Sequence, residues 1–102
     1  MGYFLGVDIG GTKTHLLLAN EQGQVIGFGQ SGPGNPQGVG YDGMYASLDQ
    51  GLKQVLRSSG LALTELAGAG FGIAGYDWAS VRPPMLEVLH KLGLVCPREI
   101  VN

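Results

Sequence analysis

Apolar residues recur at two different spacings along this chain, and the spacing separates predicted strands from predicted helices. Short apolar runs at residues 3–8, 14–20 and 24–29 are bounded by polar or glycine-rich turns, which is typical of strands. Because the three runs follow one another with only short turns between them, they predict an antiparallel meander. Two further strands are predicted at residues 67–74 and 99–102.

Apolar positions at helical spacing predict a first helix after a loop rich in glycine and proline. The loop, residues 31–38, is expected to be irregular because its prolines and glycines disfavour regular structure. Asp42 is then expected to cap a helix that runs to about Ser58 and stops at Gly60. Gly51 lies inside that helix at a cost of about 1 kcal/mol relative to alanine. Close packing of the helix against a sheet would explain a glycine there.

A second helix is predicted between the last two strands. Ser80 is expected to cap it, Pro83 and Pro84 are tolerated in its first turn, and Gly93 is expected to end it. The order of elements is therefore βββαβαβ. The first helix is long enough to form a right-handed crossover between the third and fourth strands. This order predicts the α/β class.

Composition and charge exclude several classes of protein. Apolar residues make up 44% of the chain and charged residues 14%, and the net charge is −2 with no block of Lys and Arg, so no nucleic-acid partner is expected. No apolar run approaches the ~20 residues that span a bilayer, and the first residues lack the features of a signal peptide. Cys96 is the only cysteine, which excludes an internal disulfide and a metal site made of cysteines alone. A cytoplasmic location without a membrane partner is expected.

The turn between the first two predicted strands carries residues suited to a phosphate and its metal ion. Backbone N–H groups of Gly10 and Gly11 can approach phosphate oxygens closely, and Thr12 adds a hydroxyl donor. Asp8 closes the first strand and would hold Mg²⁺ through water. Lys13 either adds positive charge or is a solvated strand residue. The alternative interpretation is an ordinary glycine hairpin with an incidental acid.

Two other phosphate motifs do not fit this chain. The P-loop pattern fails because Thr12 stands where lysine is required after the Gly6 to Gly11 spacing. The stretch Gly70–Gly75 does match G-x-G-x-x-G, but its glycines fall within a predicted strand rather than after it. A dinucleotide site of the Rossmann type is therefore not expected.

Asn35 is a candidate for sugar recognition. Its amide offers both a donor and an acceptor to neighbouring hydroxyl groups, and the prolines around it would hold it still. The alternative is that this asparagine only forms a turn. Asp77 poses the same choice, because an acid after a strand is commonly a helix-entry residue. The residues alone leave both alternatives open.

Three segments of the chain resemble a known family in the same order along the sequence. They are residues 6–14, the stretch Gly34-Asn35-Pro36 with Val39-Gly40, and residues 72–77. The first resembles the first phosphate motif of the actin-like ATPase and sugar-kinase superfamily. Within it, the chain is most similar to the N-acetylglucosamine kinase and BadF/BadG/BcrA/BcrD ATPase family. The resemblance implies a ribonuclease H-like lobe, with a mixed five-strand sheet of order 3-2-1-4-5 and flanking helices. Residues 1–102 would be an N-terminal lobe truncated from a longer two-lobed protein.

The resemblance also implies a reaction. The full-length parent would use ATP and Mg²⁺ to phosphorylate an amino sugar such as N-acetylglucosamine, with Asn35, Gly75 and Asp77 near the sugar. The catalytic aspartate is expected just beyond Asn102, so the chain alone would be inactive. Two alternatives stay open: an ATPase that activates an acyl-CoA dehydratase or reductase, and a non-catalytic sugar-sensing regulator. Exposed apolar faces of such a lobe would favour self-association, so a homodimer is among the expected states.

Overall fold

The computed structural model describes residues 2–73 and 82–101, and in these ranges two helices pack on one face of a five-strand sheet. The strands are β1 (Tyr3–Ile9), β2 (Thr14–Ala19), β3 (Val25–Ser31), β4 (Leu66–Ile73) and β5 (Arg98–Val101). The helices are α1 (Pro36–Ser59) and α2 (Arg82–Lys91), and a single 3₁₀ turn, Leu63–Glu65, precedes β4.

The sheet has the order β3-β2-β1-β4-β5. Its first three strands are antiparallel, whereas β4 pairs parallel to β1 and β5 parallel to β4. This confirms the α/β class, the opening meander and the predicted strand order. Because β1, β3, β4 and β5 all run in the same direction, their carboxyl ends meet at one edge of the sheet. Loops at such an edge are where α/β sheets bind ligands.

Alternation along β1 separates a covered face of the sheet from an open one. Leu5, Val7 and Ile9 are buried under the helices, whereas Phe4 and Asp8 are exposed on the other face. The same alternation places Thr14, Leu16 and Leu18 of β2 on the covered face. We call the two sides the covered face and the open face. The remaining core residues are Met44, Leu48, Leu52, Val55, Leu66, Phe71, Ile73, Met85, Val88, Leu89, Leu94, Cys96 and Ile100.

Glycines on the covered face let α1 approach the sheet closely. A Cβ at Gly27 would lie 3.0 Å from the carbonyl oxygen of Val55, and one at Gly29 would overlap the carbonyl oxygen of Gly51. A Cβ at Gly51 would in turn overlap the side chain of Leu16. Gly51 is therefore explained by packing, as the sequence predicts, and this packing offsets its intrinsic helix penalty.

Side chains of α1 also close the outer edge of β3. The Gln30 N–H donates to Oε1 of Gln54 at 2.9 Å, and Nε2 of Gln54 donates back to the Gln30 carbonyl at 2.8 Å. The Phe28 N–H donates to the Ser58 hydroxyl at 3.2 Å. These bonds occupy backbone groups that an edge strand would otherwise offer to another chain.

The start of α1 corrects two predictions. The helix begins at Pro36, so residues 31–38 are not irregular throughout, and Asp42 lies inside the helix instead of capping it. Proline suits a first helical position because it lacks the N–H that would be unpaired there. Asn35 is the N-cap residue, with φ −67° and ψ 127°. Helical geometry breaks at Gly40, where φ is 73° and ψ is 175°, so a short first turn precedes the long segment that the sequence predicts.

The other predicted helix boundaries agree with the structure where it describes them. Gly60 ends α1 in the left-handed region with φ 76°, and Gly93 follows α2 with φ 87°. Pro83 and Pro84 lie in the first turn of α2. Ser80, the predicted cap, is outside the described residues. Neither described helix has the length and hydropathy needed to cross a membrane.

Candidate functional site

A tight turn at the carboxyl edge joins β1 to β2. The Gly10 N–H donates to the Lys13 carbonyl at 2.9 Å and closes the turn. Gly11, Thr12 and Lys13 are all exposed at its tip. No acceptor among the described residues takes up the N–H groups of Gly11 or Thr12. Both N–H groups are therefore available to an anion, whereas the N–H of Gly10 is committed to the turn.

Folding does not account for a glycine at position 11. The glycines with positive φ in the described chain are Gly23, Gly40, Gly60 and Gly93, so Gly11 is not in the left-handed region. A Cβ at Gly11 would meet nothing within 4 Å. A ligand that approaches the backbone closely would account for the missing side chain.

Asp8 lies on the open face beside this turn. It is the second-last residue of β1, opposite His15 of β2 and Gly72 of β4 in the register, and its side chain is exposed. Across residues 2–73 and 82–101, no three His, Cys, Asp or Glu side chains cluster to hold a metal ion. Mg²⁺ does not need such a cluster, because it keeps several waters and commonly takes one or two carboxylates with substrate phosphates. A single accessible carboxylate beside a phosphate turn therefore fits the predicted magnesium site.

The loop of residues 32–35 lies directly against the base of the turn. The Gly34 N–H donates to the Gly10 carbonyl at 3.3 Å, and Oγ1 of Thr14 donates to the Gly32 carbonyl at 2.9 Å. The two connections that carry the predicted phosphate and sugar residues are thus in contact, although they are about twenty residues apart in the sequence.

Asn35 takes a turn position without using its side chain to hold the turn. It is half-buried, and its amide makes no capping hydrogen bond to α1. A Cβ at Gly38 would lie 3.1 Å from both Oδ1 and Nδ2 of Asn35, so the amide lies over a position that has no side chain. Asn35 therefore forms the turn through its backbone, and its amide does not bond the start of the helix in the part of the chain that the structure describes.

Two predicted substrate residues, Gly75 and Asp77, lie outside the described residues. The chain leaves β4 at Ile73 on the same carboxyl edge as the turn. β5 is described to Val101, opposite Gly72 in the register, so it also ends at this edge. The roles of Gly75 and Asp77, and of an aspartate after β5, stay predictions.

Gly70 and Gly72 lie inside β4, where they pair with Gly6 and Asp8 of β1. A dinucleotide motif would place its glycines after the strand and at the start of a helix. Their position supports the rejection of a Rossmann site.

Thr14 is a residue whose importance the sequence does not reveal, because its position indicates only the start of a strand. It is completely buried on the covered face. The alternation of β2 could have placed it there, since it shares its side of the strand with Leu16 and Leu18. A hydroxyl on a covered face needs a hydrogen-bond partner. That partner, the Gly32 carbonyl, lies 18 residues away.

The sheet order and the glycine turn with its neighbouring acid define a class of protein. This is the fold of the actin-like ATPases and sugar kinases. The chain belongs to the BadF/BadG/BcrA/BcrD ATPase family, which matches residues 5–90. None of the curated proteins compared with the chain matches it.

Solved structures support the same class. A protein assigned as an N-acetylglucosamine kinase from Chromobacterium violaceum has 19% identity and a TM-score of 0.77, over 100% of this chain and 35% of that one. A second protein with the same assignment, from Porphyromonas gingivalis, has 25% identity and a TM-score of 0.69, over 99% of this chain and 34% of that one. Component A of (R)-2-hydroxyglutaryl-CoA dehydratase from Acidaminococcus fermentans has 15% identity and a TM-score of 0.58, over 98% of this chain and 31% of that one. The chain thus spans about a third of the length of these structures.

Proposed function

We propose that this chain is the N-terminal lobe of an ATP-dependent kinase that phosphorylates an amino sugar such as N-acetylglucosamine. The observation that carries the proposal is the contact between the exposed glycine turn, with Asp8 beside it, and the loop that ends at Asn35. One connection suits a phosphate and its metal ion, and the other presents an amide suited to sugar hydroxyls. Phosphoryl transfer depends mainly on holding these two partners in line.

Each side chain and backbone group of the site has a task in this proposal. The N–H groups of Gly11 and Thr12 bind phosphate oxygens of ATP, and Thr12 and Lys13 add a hydroxyl and a positive charge. Asp8 would hold Mg²⁺ through water, and this ion would supply positive charge against the phosphates. Asn35 orients the sugar by donating to one hydroxyl and accepting from another.

Other parts of the proposed site depend on residues that the structure does not describe. Gly75 and Asp77 would line the sugar side of the cleft, and an aspartate after Asn102 would accept the proton of the attacking hydroxyl. Among the described residues, Gly10 contributes mainly its small size, because its N–H closes the turn and is therefore not available to a phosphate. The adenine pocket and a second phosphate-binding segment would belong to the remainder of a two-lobed protein.

Proteins of both the kinase and the activator kind are similar to this chain. The Porphyromonas gingivalis protein, at 25% identity, is assigned as an N-acetylglucosamine kinase. The dehydratase component at 15% identity has a related fold and represents the alternative. Activators of that kind would need cysteines for an iron–sulfur cluster, and the one cysteine of this chain, Cys96, is buried. A non-catalytic sugar sensor is the third candidate.

A coupled assay of ADP formation by the full-length protein with a panel of sugars tests the proposal. We expect turnover with at least one amino sugar and none by the isolated 102-residue chain. ATP hydrolysis that does not depend on any sugar would favour the activator instead. Binding of an amino sugar without turnover would favour the sensor.

Exchanging Asn35 tests the sugar assignment within the same assay. Asn35→Ala should raise the KM for the sugar about tenfold or more and leave the KM for ATP nearly unchanged, because it removes binding to one substrate only. Gln22→Ala, an exposed change in the β2–β3 turn at the opposite edge of the sheet, is the matched control. Equal changes in both KM values would contradict the assignment.

The proposal also includes the cellular setting of the protein. A kinase that consumes ATP and phosphorylates a free sugar would work in the cytoplasm, with a small-molecule substrate and without nucleic acid. A homodimer is proposed as its state of association, and sedimentation of the full-length protein tests this.

A further inference from the structure

The loop that carries Asn35 is fastened on two sides by hydroxyl groups. On one side, Thr14 donates to the Gly32 carbonyl at 2.9 Å. On the other side, Ser47 of α1 donates to the Pro33 carbonyl at 2.7 Å, and Ser31 donates to the Ser47 carbonyl at 2.7 Å. We call these three bonds, together with the bond from the Gly34 N–H to the Gly10 carbonyl, the brace.

The brace accounts for all the buried polar side chains of residues 2–73 and 82–101. These are Thr14, which is 0% exposed, and Ser31 and Ser47, which are each 9% exposed. Elsewhere in the described chain the buried residues are apolar, although Nε of the half-buried Arg98 is also covered. A buried polar group that loses its partner destabilises a protein by its full desolvation cost, so networks of this kind fix one geometry. The buried hydroxyl side chains of the described core therefore all lie around this loop.

Steric fit makes the brace rigid as well as polar. A Cβ at Gly34 would lie 2.8 Å from Oγ1 of Thr14 and 2.9 Å from Cγ2 of Ile9. Such distances are too short for real side chains, so only glycine lets the loop close on the turn. Gly32, whose carbonyl Thr14 holds, has nothing within 4 Å of its own missing side chain. The loop is thus free on its outer side and fixed on its inner side.

We propose that Thr14 is a positioning residue that couples the phosphate turn to the sugar loop. It directly follows the turn Gly10–Lys13, and its hydroxyl holds the loop that ends at Asn35. This inference rests on the proposed function, in which ATP and the sugar bind to these two connections. Small misplacements of two reacting groups cost large factors in rate. The role of Thr14 is to keep the sugar hydroxyl in line with the phosphate, without touching either substrate.

Thr14→Val in the full-length protein removes the hydroxyl and keeps the shape. We expect sugar-dependent ADP formation to fall about tenfold or more, while slow ATP hydrolysis without sugar is kept, because the phosphate turn itself is intact. Thr14→Ser restores the hydroxyl and should restore the coupled reaction. Ser58→Ala, which removes a hydroxyl of α1 that bonds β3 away from the site, is the matched control. If Thr14→Val lowers both reactions equally, the residue is only structural and the proposal is wrong.

Amide hydrogen exchange gives a readout that does not depend on activity. In Thr14→Val the N–H of Gly34 should exchange at least tenfold faster than in the wild type, while the N–H of Gly60, which donates to the Leu56 carbonyl at the end of α1, should not change. Unchanged exchange at Gly34 would overturn the coupling even in an active kinase. Conversely, faster exchange in a protein that phosphorylates no sugar would support the brace and reject the kinase.

Ser47→Ala, which breaks the brace from the helix side, tests the same loop if Thr14→Val does not fold. Unchanged exchange at Gly34 in that variant would count against the brace.

Discussion

The covered face and the open face of the sheet use glycine for different purposes. On the covered face, a side chain at Gly29 would overlap the backbone of α1, and a side chain at Gly51 would overlap Leu16. On the open face, side chains at Gly6 and Gly70 would meet nothing within 4 Å. A glycine of the covered face is thus explained by packing alone. Packing does not explain Gly6 and Gly70 of the open face or Gly11 of the turn at its edge, so their function has to be sought outside the packing of this chain.

Apolar residues show the same contrast between the faces. Leu16 and Leu18 of β2 are at most 1% exposed, whereas Leu17 between them is 43% exposed. Phe4 and Phe28 are 48% and 49% exposed on the open face. The core of the described residues therefore lies entirely on one side of the sheet. Substitutions on this side should change stability, and substitutions on the other side or at the edge should change binding.

The largest difference in stability is expected between two alanine substitutions in strands. Gly29→Ala should lower the free energy of unfolding by about 1–3 kcal/mol, because the carbonyl of Gly51 must move to admit the new methyl group. Gly70→Ala should be neutral or stabilise the protein by up to about 1 kcal/mol, because alanine costs less chain entropy. Urea unfolding of both variants measures the difference. Equal losses would mean that the open face is packed as tightly as the covered one.

Asp8 should show the opposite behaviour, with a large effect on catalysis and little on folding. Asp8→Asn keeps the size of an exposed side chain but removes the charge that would hold Mg²⁺, so kcat should fall about a hundredfold, as for other groups that stabilise charge in a transition state. Its urea midpoint should stay at the wild-type value. Glu99→Gln removes another exposed carboxylate, on β5, and serves as the control. An unchanged kcat in Asp8→Asn would exclude Asp8 from the mechanism.

Most of the fold was predictable because its signals are local. Alternation of apolar residues and glycine-rich turns predict five strands within one or two residues of their observed bounds. The start of α1 carries a local signal as well, because asparagine is a favoured N-cap and proline is a favoured first helical residue. The glycines at positions 38 and 40 obscure this signal, since glycine is a poor helix former. The bonds that hold the segment before Pro36 come from Thr14 and Ser47, which are distant in sequence, and local rules do not contain such contacts.

The candidate site, like the fold, has residues that a local motif predicts and residues that depend on distant contacts. Asp8 and Gly11 were predictable because they belong to one short motif with a direct chemical meaning. Thr14 has no such meaning until the Gly32 carbonyl is known to lie beside it. The contact between the turn and the loop, which carries the functional proposal, is therefore a result of the structure.

Gly11→Ala separates binding from folding at a single backbone position. The space around Gly11 is open, and its φ is outside the left-handed region, so the stability should stay within about 0.5 kcal/mol of the wild type. A phosphate that approaches the backbone would meet the new methyl group, and the KM for ATP should rise about tenfold, which corresponds to about 1.4 kcal/mol. Steady-state kinetics with ATP as the varied substrate measure this change. An unaltered KM would mean that no ligand approaches the turn at this residue.

The smallest expected effect lies at the opposite edge of the sheet, away from both the packed core and the site. Glu21 accepts a hydrogen bond from the Gly2 N–H at 2.8 Å, and this bond lowers the pKa of the Glu21 carboxyl below its ordinary value. A lowered pKa in the folded state means that the carboxylate stabilises the fold above the unfolded pKa, and that this stabilisation is lost as the pH falls through the folded pKa. Because the carboxyl is fully exposed, the contribution is small.

Glu21→Gln should therefore melt slightly below the wild type at pH 7, and the two melting temperatures should converge as the pH falls below about 4. Thermal melts of both proteins across this pH range measure the effect. A difference that stays constant across the range would show that the charge of Glu21 does not contribute. The same result would limit electrostatic contributions to stability at this edge and leave the packing of the covered face as the main source of stability.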